Sequence, residues 1–320
     1  MKRSLLVLLM VLAATILSDG TSAAPPEGSP VADPRGAFAG LIELSNGRHI
    51  YAECAGTGGP TVLLVSGYRT RADVWTDPQL GPGNGDPMVF PAVASETRVC
   101  TYDRPGTLTV LDGVRYPSRS DDAPMPRSIA EVVAELRAVR DLVADDQPVV
   151  LVGHSLGGAI VRLYAATYPE DVAGIVLVDA YSEFLADHMP DDAFAAYAEY
   201  ASVIPDFLSD YTAYETIDFA QTSDALRDAA GASPLPPIPY EVLSKGQPFR
   251  LEGDTPGFTI DQLETAWPEA QTDLAELLPD TPHFTVAGSS HYIQLQRPDL
   301  VIAAIAQVVD EVRMEATPIP

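Results

Sequence analysis

The chain has 320 residues, of which 45 are Asp or Glu and 19 are Lys or Arg, so its formal net charge at pH 7 is −26. A hydrophobic content of 46% is ordinary for a folded protein and argues against disorder of the main body. The acidic excess practically excludes nucleic acid as a partner, because phosphate binding needs clustered Lys and Arg side chains. It also disfavours binding to anionic membrane surfaces.

The N-terminus has the features of a secretory signal peptide over residues 1–23. Lys2 and Arg3 precede an apolar run over Leu5–Leu17, which is too short to span a bilayer comfortably. Small residues predict cleavage before Ala24, and the alternative is an uncleaved membrane anchor. No second long apolar run follows, so we expect a secreted or extracytoplasmic mature chain without stable membrane insertion.

The next feature is a proline-rich stretch over residues 24–37, which predicts a flexible linker. The two cysteines, Cys54 and Cys100, each fall in a strand-like run. An oxidising compartment favours their pairing, and the alternative is two free buried thiols. Two cysteines supply too few ligands for a metal site, so we predict none.

From about residue 38, strand and helix signals alternate along the chain. Short apolar runs predict strands, and apolar residues at helical spacing predict helices. In chain order the predicted elements are strands over Arg48–Ala55, Pro60–Val65 and Thr97–Tyr102, a helix over Ile129–Val143, a strand over Pro148–Val152, a helix over Ala159–Thr167, a strand over Val172–Val178, weaker strands over Pro239–Leu243 and His283–Ala287, and a helix over Val301–Val312. The order predicts an α/β fold with a mostly parallel sheet and helices on both faces. We assign residues 38–179 and 240–316 to this core.

Residues 180–239 interrupt the alternation with helix-like stretches and no convincing strand. This insert holds nine aromatic residues, and we expect a helical lid in which most of them pack on the core. A few should face a ligand, because lids over apolar pockets are built in this way.

The strongest chemical motif is Gly153-His154-Ser155-Leu156-Gly157, placed between a predicted strand and a predicted helix. This is a G-x-S-x-G nucleophile elbow in its required context. Ser155 must occupy a strained turn that exposes its hydroxyl. The glycines lack side chains because strand and helix backbones approach closely there.

A serine nucleophile needs a histidine base, and His291 has the expected position. It lies in a loop after the last predicted strand and before the final helix, as the chain order Ser, acid, His requires. The other four histidines are less suitable: His49 in an early strand, His154 inside the elbow, His188 in the lid and His283 at the start of a strand.

The triad acid has several candidates. Asp179 ends the strand Val172–Val178 and should point into the crevice at the carboxyl ends of the strands; its alternative role is a helix N-cap. Glu252, Asp254 and Asp261 follow the strand Pro239–Leu243 in a stretch of little regularity, and Asp254 is the second choice.

An oxyanion hole needs two N–H donors, and we predict those of Leu156 and Tyr68. Leu156 begins the helix after the elbow. Tyr68 follows Ser66-Gly67 at the end of an early strand, and its alternative role is that of a packed aromatic residue.

Together these motifs resemble the α/β-hydrolase superfamily, in particular its secreted bacterial members with a serine nucleophile and a lid. The resemblance also includes Val65–Tyr68, Tyr102–Gly106, Val176–Ala180 and Gly288–Pro298. It implies a Ser-His-acid triad, a covalent acyl-enzyme, no cofactor and a sheet of about eight strands.

The resemblance further implies that the second strand is antiparallel and lies beside the fourth. Cys54 would then neighbour Cys100, which strengthens the predicted disulfide. Two features depart from the family pattern. Ser66 replaces the usual histidine of the oxyanion loop, and no clear acid follows the seventh strand. The second departure favours Asp179, since members of the superfamily are known with the acid after the sixth strand.

These observations predict a serine hydrolase that cleaves a small carboxylic ester with an apolar group. Alternatives on the same triad are an aminopeptidase, an acyltransferase and a cofactor-free haloperoxidase-like enzyme. From another class, the chain could be a catalytically quiet ligand-binding protein.

Overall fold

The computed structural model describes residues 34–144, 146–203, 211, 213–249 and 255–316. The predicted signal peptide and most of the predicted linker lie outside the described residues, as do Glu252 and Asp254. No helix in the described part of the chain combines the length and the apolar composition needed to cross a membrane.

The described residues form ten strands and ten α-helices. The strands are β1 Phe38–Glu43, β2 His49–Ala55, β3 Val62–Val65, β4 Val99–Tyr102, β5 Leu108–Leu111, β6 Val114–Pro117, β7 Val149–His154, β8 Val172–Val178, β9 Tyr240–Lys245 and β10 His283–Val286. The helices are α1 Asp73–Thr76, α2 Val89–Ala94, α3 Ile129–Val143, α4 Leu156–Thr167, α5 Leu185–His188, α6 Asp191–Ser202, α7 Phe219–Ala232, α8 Ile260–Ala275, α9 Ile293–Gln296 and α10 Pro298–Glu315.

Eight of the strands form one sheet in the order β1-β2-β4-β3-β7-β8-β9-β10. The β1–β2 and β2–β4 pairs are antiparallel, and all other neighbours in this sheet are parallel. The predicted α/β fold is therefore confirmed, including a second strand that runs antiparallel beside the fourth. Parallel strands place their carboxyl ends at one edge of the sheet, where ligands bind in open α/β folds.

The central strands are buried on both faces, which explains their continuous apolar sequences. Leu151 of β7 belongs to the hydrophobic cluster that includes α3, α4 and α8. Its neighbours Val150 and Val152 belong to a second cluster on the other face, which includes α2 and α10. The sheet is thus the middle of three layers, and its edges hold the loops that build the site.

The predicted disulfide is present between Cys54 and Cys100. The two residues are directly opposite each other in the antiparallel β2–β4 pair.

A hairpin and a long helix are among the features that differ from the expectations. β5 and β6 form a separate hairpin that the sequence analysis did not include. The supposedly irregular stretch after β9 contains the long helix α8, which begins with a capping box formed by Thr259 and Gln262. Pro268 lies inside this helix and hides its helical pattern in the sequence. Asp261 is an exposed residue in the first turn of α8.

Candidate active site

Ser155 lies on a sharp turn between β7 and α4. Its φ of +52° and ψ of −124° are unusual for a residue with a side chain, and such strain is typical of functional turns. A Cβ on Gly157 would be 2.2 Å from the carbonyl oxygen of Val65. A Cβ on Gly153 would be 2.5 Å from the carbonyl oxygen of Gly157. The two glycines are therefore required by close backbone approach.

Leu156 is the first residue of α4, so its backbone N–H has no acceptor within the helix. The Ser155 side chain makes no capping hydrogen bond to the first turn of this helix. The positive end of the helix dipole also lies here. The backbone N–H of Leu156 is therefore available to stabilise a negative charge that develops beside Ser155.

Asp179 and His291 meet at the carboxyl ends of the strands. The Nδ1–H of His291 donates a hydrogen bond to Oδ2 of Asp179 at 2.6 Å. The Asp179 side chain is completely buried, while 18% of the His291 side chain is exposed. A hydrogen bond at Nδ1 directs the other imidazole nitrogen, Nε2, away from the aspartate.

The second oxygen of Asp179 is also hydrogen-bonded. Oδ1 accepts from the backbone N–H of Lys245 at 2.9 Å and from the indole N–H of Trp267 at 3.0 Å. The alternative role as a helix N-cap does not apply, because the residue before α5 is Phe184. The three donors instead hold the carboxylate in one orientation toward His291.

His154, inside the elbow, supports the loop that carries His291. Its Nε2 lies 2.9 Å from the backbone carbonyl oxygen of His291, which can only accept, so Nε2 is the donor. Burial lowers the pKa of His154 well below its usual value, and the nearby His291 lowers it further. His154 is therefore a neutral structural group.

The remaining histidines have partners elsewhere. His49 pairs with Asp121, His188 with Asp273 and His283 with the hydroxyl of Ser244. Among the described residues, His291 is the histidine on the wall of the cavity that Ser155 faces.

Tyr68 has the packed-aromatic role that the sequence analysis gave as its alternative. Its ring packs edge-on against Phe219 at 5.0 Å between centroids, and its hydroxyl accepts a hydrogen bond from the backbone N–H of Ile217. Burial raises the pKa of Tyr68 to about 12, so the phenol keeps its proton. The Ser66 hydroxyl, at the position of the usual histidine, donates to the Arg71 carbonyl and accepts from the Trp75 indole.

A cavity of about 510 Å³ adjoins these residues. Its walls carry Ser155 and His291 together with eight aromatic side chains. The aromatic residues are Tyr68, Tyr181, Tyr197, Tyr200, Phe219, Phe249, Trp267 and Tyr292. Among the described residues, no Asp, Glu, Lys or Arg lines it. The cavity has the size and apolar character of a small-molecule site.

The described residues contain no group of three His, Cys, Asp or Glu side chains arranged to hold a metal ion.

Residues 62–304 match the family model described as "Alpha/beta hydrolase family". The chain belongs to this family. Among curated relatives, it is 27% identical over 157 residues to the probable transporter efuK of Hormonema carpetanum, covering 47% of this chain and 20% of that protein. The chain thus spans about a fifth of that relative. It is 22% identical to the uncharacterized protein YqjL of Bacillus subtilis, covering 82% of this chain and 89% of that protein.

Among solved structures, this hydrolase-family chain is similar to a putative lipase from Acinetobacter baumannii. The TM-score is 0.56 at 18% sequence identity, covering 88% of this chain and 94% of the lipase. At this identity the similarity shows a shared fold.

The sequence analysis did not include several residues that shape the site. Phe249 and Trp267, which follow β9, pack on the His291 ring at centroid distances of 5.1 and 5.7 Å. The insert over residues 180–239, predicted as a lid, contributes Tyr181, Tyr197 and Phe219 among others, and the rest of the aromatic wall comes from other parts of the chain. The spacing of apolar residues after Thr259 signals the helix that carries Trp267, but no local pattern signals its contact with Asp179.

Proposed function

We propose that the chain is a secreted serine hydrolase that cleaves neutral carboxylic esters through Ser155, His291 and Asp179. One observation carries this proposal: Ser155 on its strained turn and His291, oriented by Asp179, lie on the wall of one aromatic cavity. Secretion is supported by the signal-like N-terminus and by the disulfide.

In the proposed mechanism, His291 takes the proton of the Ser155 hydroxyl while Ser155 Oγ attacks the ester carbonyl carbon. The N–H groups of Leu156 and Tyr68 stabilise the oxyanion of the tetrahedral intermediate. His291 then gives its proton to the leaving alcohol, and an acyl-enzyme remains. Water, activated by His291, attacks the acyl-enzyme and releases the carboxylic acid.

The cavity favours an ester substrate over a peptide with a free amino terminus. An aminopeptidase needs a carboxylate to bind the substrate ammonium group, and none lines the described cavity. A free carboxylate on the substrate would likewise find no cation on this wall and would be repelled by the net charge of −26.

The decisive test is covalent labelling of the purified mature protein by a fluorophosphonate, measured by intact mass. We expect one label per chain, complete loss of the label in Ser155→Ala, and full labelling of Ser290→Ala. Ser290 is the matched control because it lines the same cavity without lying on the elbow. A folded parent protein that takes no label would overturn the proposal and favour a ligand-binding protein.

A panel of neutral and carboxylated esters then tests the substrate class. We expect Ser155→Ala to lower kcat by at least about 10⁴-fold, because the residue forms the covalent intermediate.

A further inference from the structure

The loop Ser66–Thr70, here called the oxyanion loop, is held by hydrogen bonds on both sides of Tyr68. In a trans peptide unit the C=O and N–H groups point in opposite directions. The Tyr68 N–H belongs to the same unit as the Gly67 carbonyl. Whatever fixes the direction of the Gly67 carbonyl therefore fixes the direction in which the Tyr68 N–H points.

The side chain of Arg104 holds that carbonyl. Its Nη2–H donates to the Gly67 carbonyl oxygen at 2.6 Å, and its Nη1–H donates to the Ser66 carbonyl oxygen at 2.8 Å. A rigid, planar guanidinium group fixes two neighbouring peptide units with little freedom. Arg104 is thus positioned to orient the Tyr68 N–H, the proposed oxyanion donor, through the Gly67 carbonyl group.

Glu215, a residue of the lid, holds both Arg104 and the following peptide unit. Its carboxylate accepts from Arg104 Nε at 2.7 Å and Nη2 at 3.0 Å, and from the Arg69 backbone N–H at 2.6 Å. The Glu215 and Arg104 side chains are 0% and 1% exposed. Water therefore cannot replace either partner, and loss of one leaves the other buried and uncompensated.

The rest of Arg69 ties the loop to the lid a second time. Its guanidinium donates to the carbonyl oxygens of Ser202 and Val203 at the end of α6, and to the Glu215 carbonyl. A cation is favourable at a helix C-terminus, where carbonyl groups lack partners. The Arg69 guanidinium also lies on the rings of Tyr68 and Tyr214.

We propose that Glu215 and Arg104 are positioning residues for catalysis: docking of the lid through Glu215 fixes the Tyr68 N–H in the direction that stabilises the oxyanion. This inference rests on the proposed function. It differs from a purely structural role because it predicts a selective loss of transition-state stabilisation. Substrate binding in the aromatic cavity should persist.

The test compares Glu215→Gln with Glu183→Gln. Glu183 forms an equally buried pair with Arg162, with both contacts at 2.6 Å, and this pair does not touch the oxyanion loop. The readouts are kcat and KM for a p-nitrophenyl ester, the inhibition constant of phenylboronic acid, and Tm. The boronic acid forms a tetrahedral adduct with the nucleophile and therefore reports on the oxyanion hole.

We expect Glu215→Gln to lower kcat roughly 100-fold, with KM within about threefold, since loss of one oxyanion donor typically has this size of effect. Phenylboronic acid should lose affinity in parallel. Glu183→Gln should lower Tm comparably while kcat and the inhibition constant stay near those of the parent.

If Glu215→Gln does not fold, Arg104→Lys replaces it as the test variant, because it keeps a buried cation beside Glu215 but loses the planar guanidinium group. The same selective loss of kcat is expected. If the parent hydrolyses esters and the two variants Glu215→Gln and Glu183→Gln change kcat equally, this inference is overturned and the proposed function stays intact. A parent that neither hydrolyses esters nor takes the fluorophosphonate label would overturn both.

Discussion

Replacing Asp179 with Asn tests the role of the acid, because the structure determines how the new amide must orient. An Asn side chain keeps one carbonyl oxygen and gains one NH2 group. The Lys245 N–H and the Trp267 indole N–H both donate to the Oδ1 position, so the carbonyl oxygen must remain there. The NH2 group then faces Nδ1 of His291, where the parent has Oδ2 at 2.6 Å.

The consequence is a change of tautomer at His291. Its Nδ1 must accept a hydrogen bond from the new NH2 group, so the ring proton moves to Nε2. A protonated Nε2 cannot take the proton of Ser155. In a serine triad this change lowers kcat about 10⁴-fold, which corresponds to about 5.4 kcal/mol of activation free energy. The fold should survive, because both buried donors keep an acceptor.

The assay measures kcat for a p-nitrophenyl ester together with Tm. Asp179→Asn should lose activity at nearly unchanged Tm. Asp179→Ala should lose activity and also Tm, since each buried donor left without an acceptor costs about 1–3 kcal/mol. The exposed Asp261→Asn is the matched control. The reasoning is refuted if Asp179→Asn keeps kcat within tenfold of the parent, or if Asp254→Asn shows the loss instead.

Three further predictions concern stability. The Cys54→Ser, Cys100→Ser double variant should lose about 4 kcal/mol in denaturant unfolding, because the disulfide closes a loop with a sequence separation of 46. Burial raises the pKa of Glu241 to about 7, and repulsion by the Glu311 carboxylate adds to this shift. The folded state therefore binds this proton more tightly than the unfolded state, and the free energy of unfolding falls as pH rises from about 4.5 to 7. Glu241→Gln should therefore stabilise the fold by about 1–2 kcal/mol at pH 8, after a discount for solvent screening, and much less at pH 5; an equal gain at both values would contradict this assignment. Gly157→Ala should abolish folding or activity, which circular dichroism and the p-nitrophenyl ester assay check, whereas Gly231→Ala, in open space in α7, should leave the Tm measured by circular dichroism unchanged or slightly raised.

The core elements were predictable because burial constrains their sequences strongly. The helix Ile129–Val143 and the strand Val172–Val178 have the predicted bounds. The strand before the elbow extends to His154 rather than Val152, because pairing with β8 continues into the turn. The hairpin β5–β6 was missed although its Asp112-Gly113 turn, with positive φ at both residues, is a typical hairpin signal.

The part of the candidate site whose residues follow strand ends was predictable from the sequence. Ser155 and Asp179 follow adjacent parallel strands, and topology alone brings them to one edge of the sheet. The contact between Arg104 and Glu215 joins residues 111 positions apart, and Glu215 belongs to the insert over residues 180–239, whose path no sequence pattern specifies. Pairings of that kind depend on tertiary packing and had to come from the structure.

The end of β9 explains why an acid after β8 can be held rigidly. The strand after β8 ends at Lys245, whose backbone N–H binds Asp179 and whose ammonium group pairs with Glu264 on α8. Trp267, one helical turn further along α8, supplies the second donor to Asp179. The end of β9 and the segment after it, where the family usually has its acid, therefore contribute the donors that fix Asp179. A carboxylate supplied from this segment would have to displace Asp179 from three hydrogen bonds, one of them to His291, before it could orient the histidine.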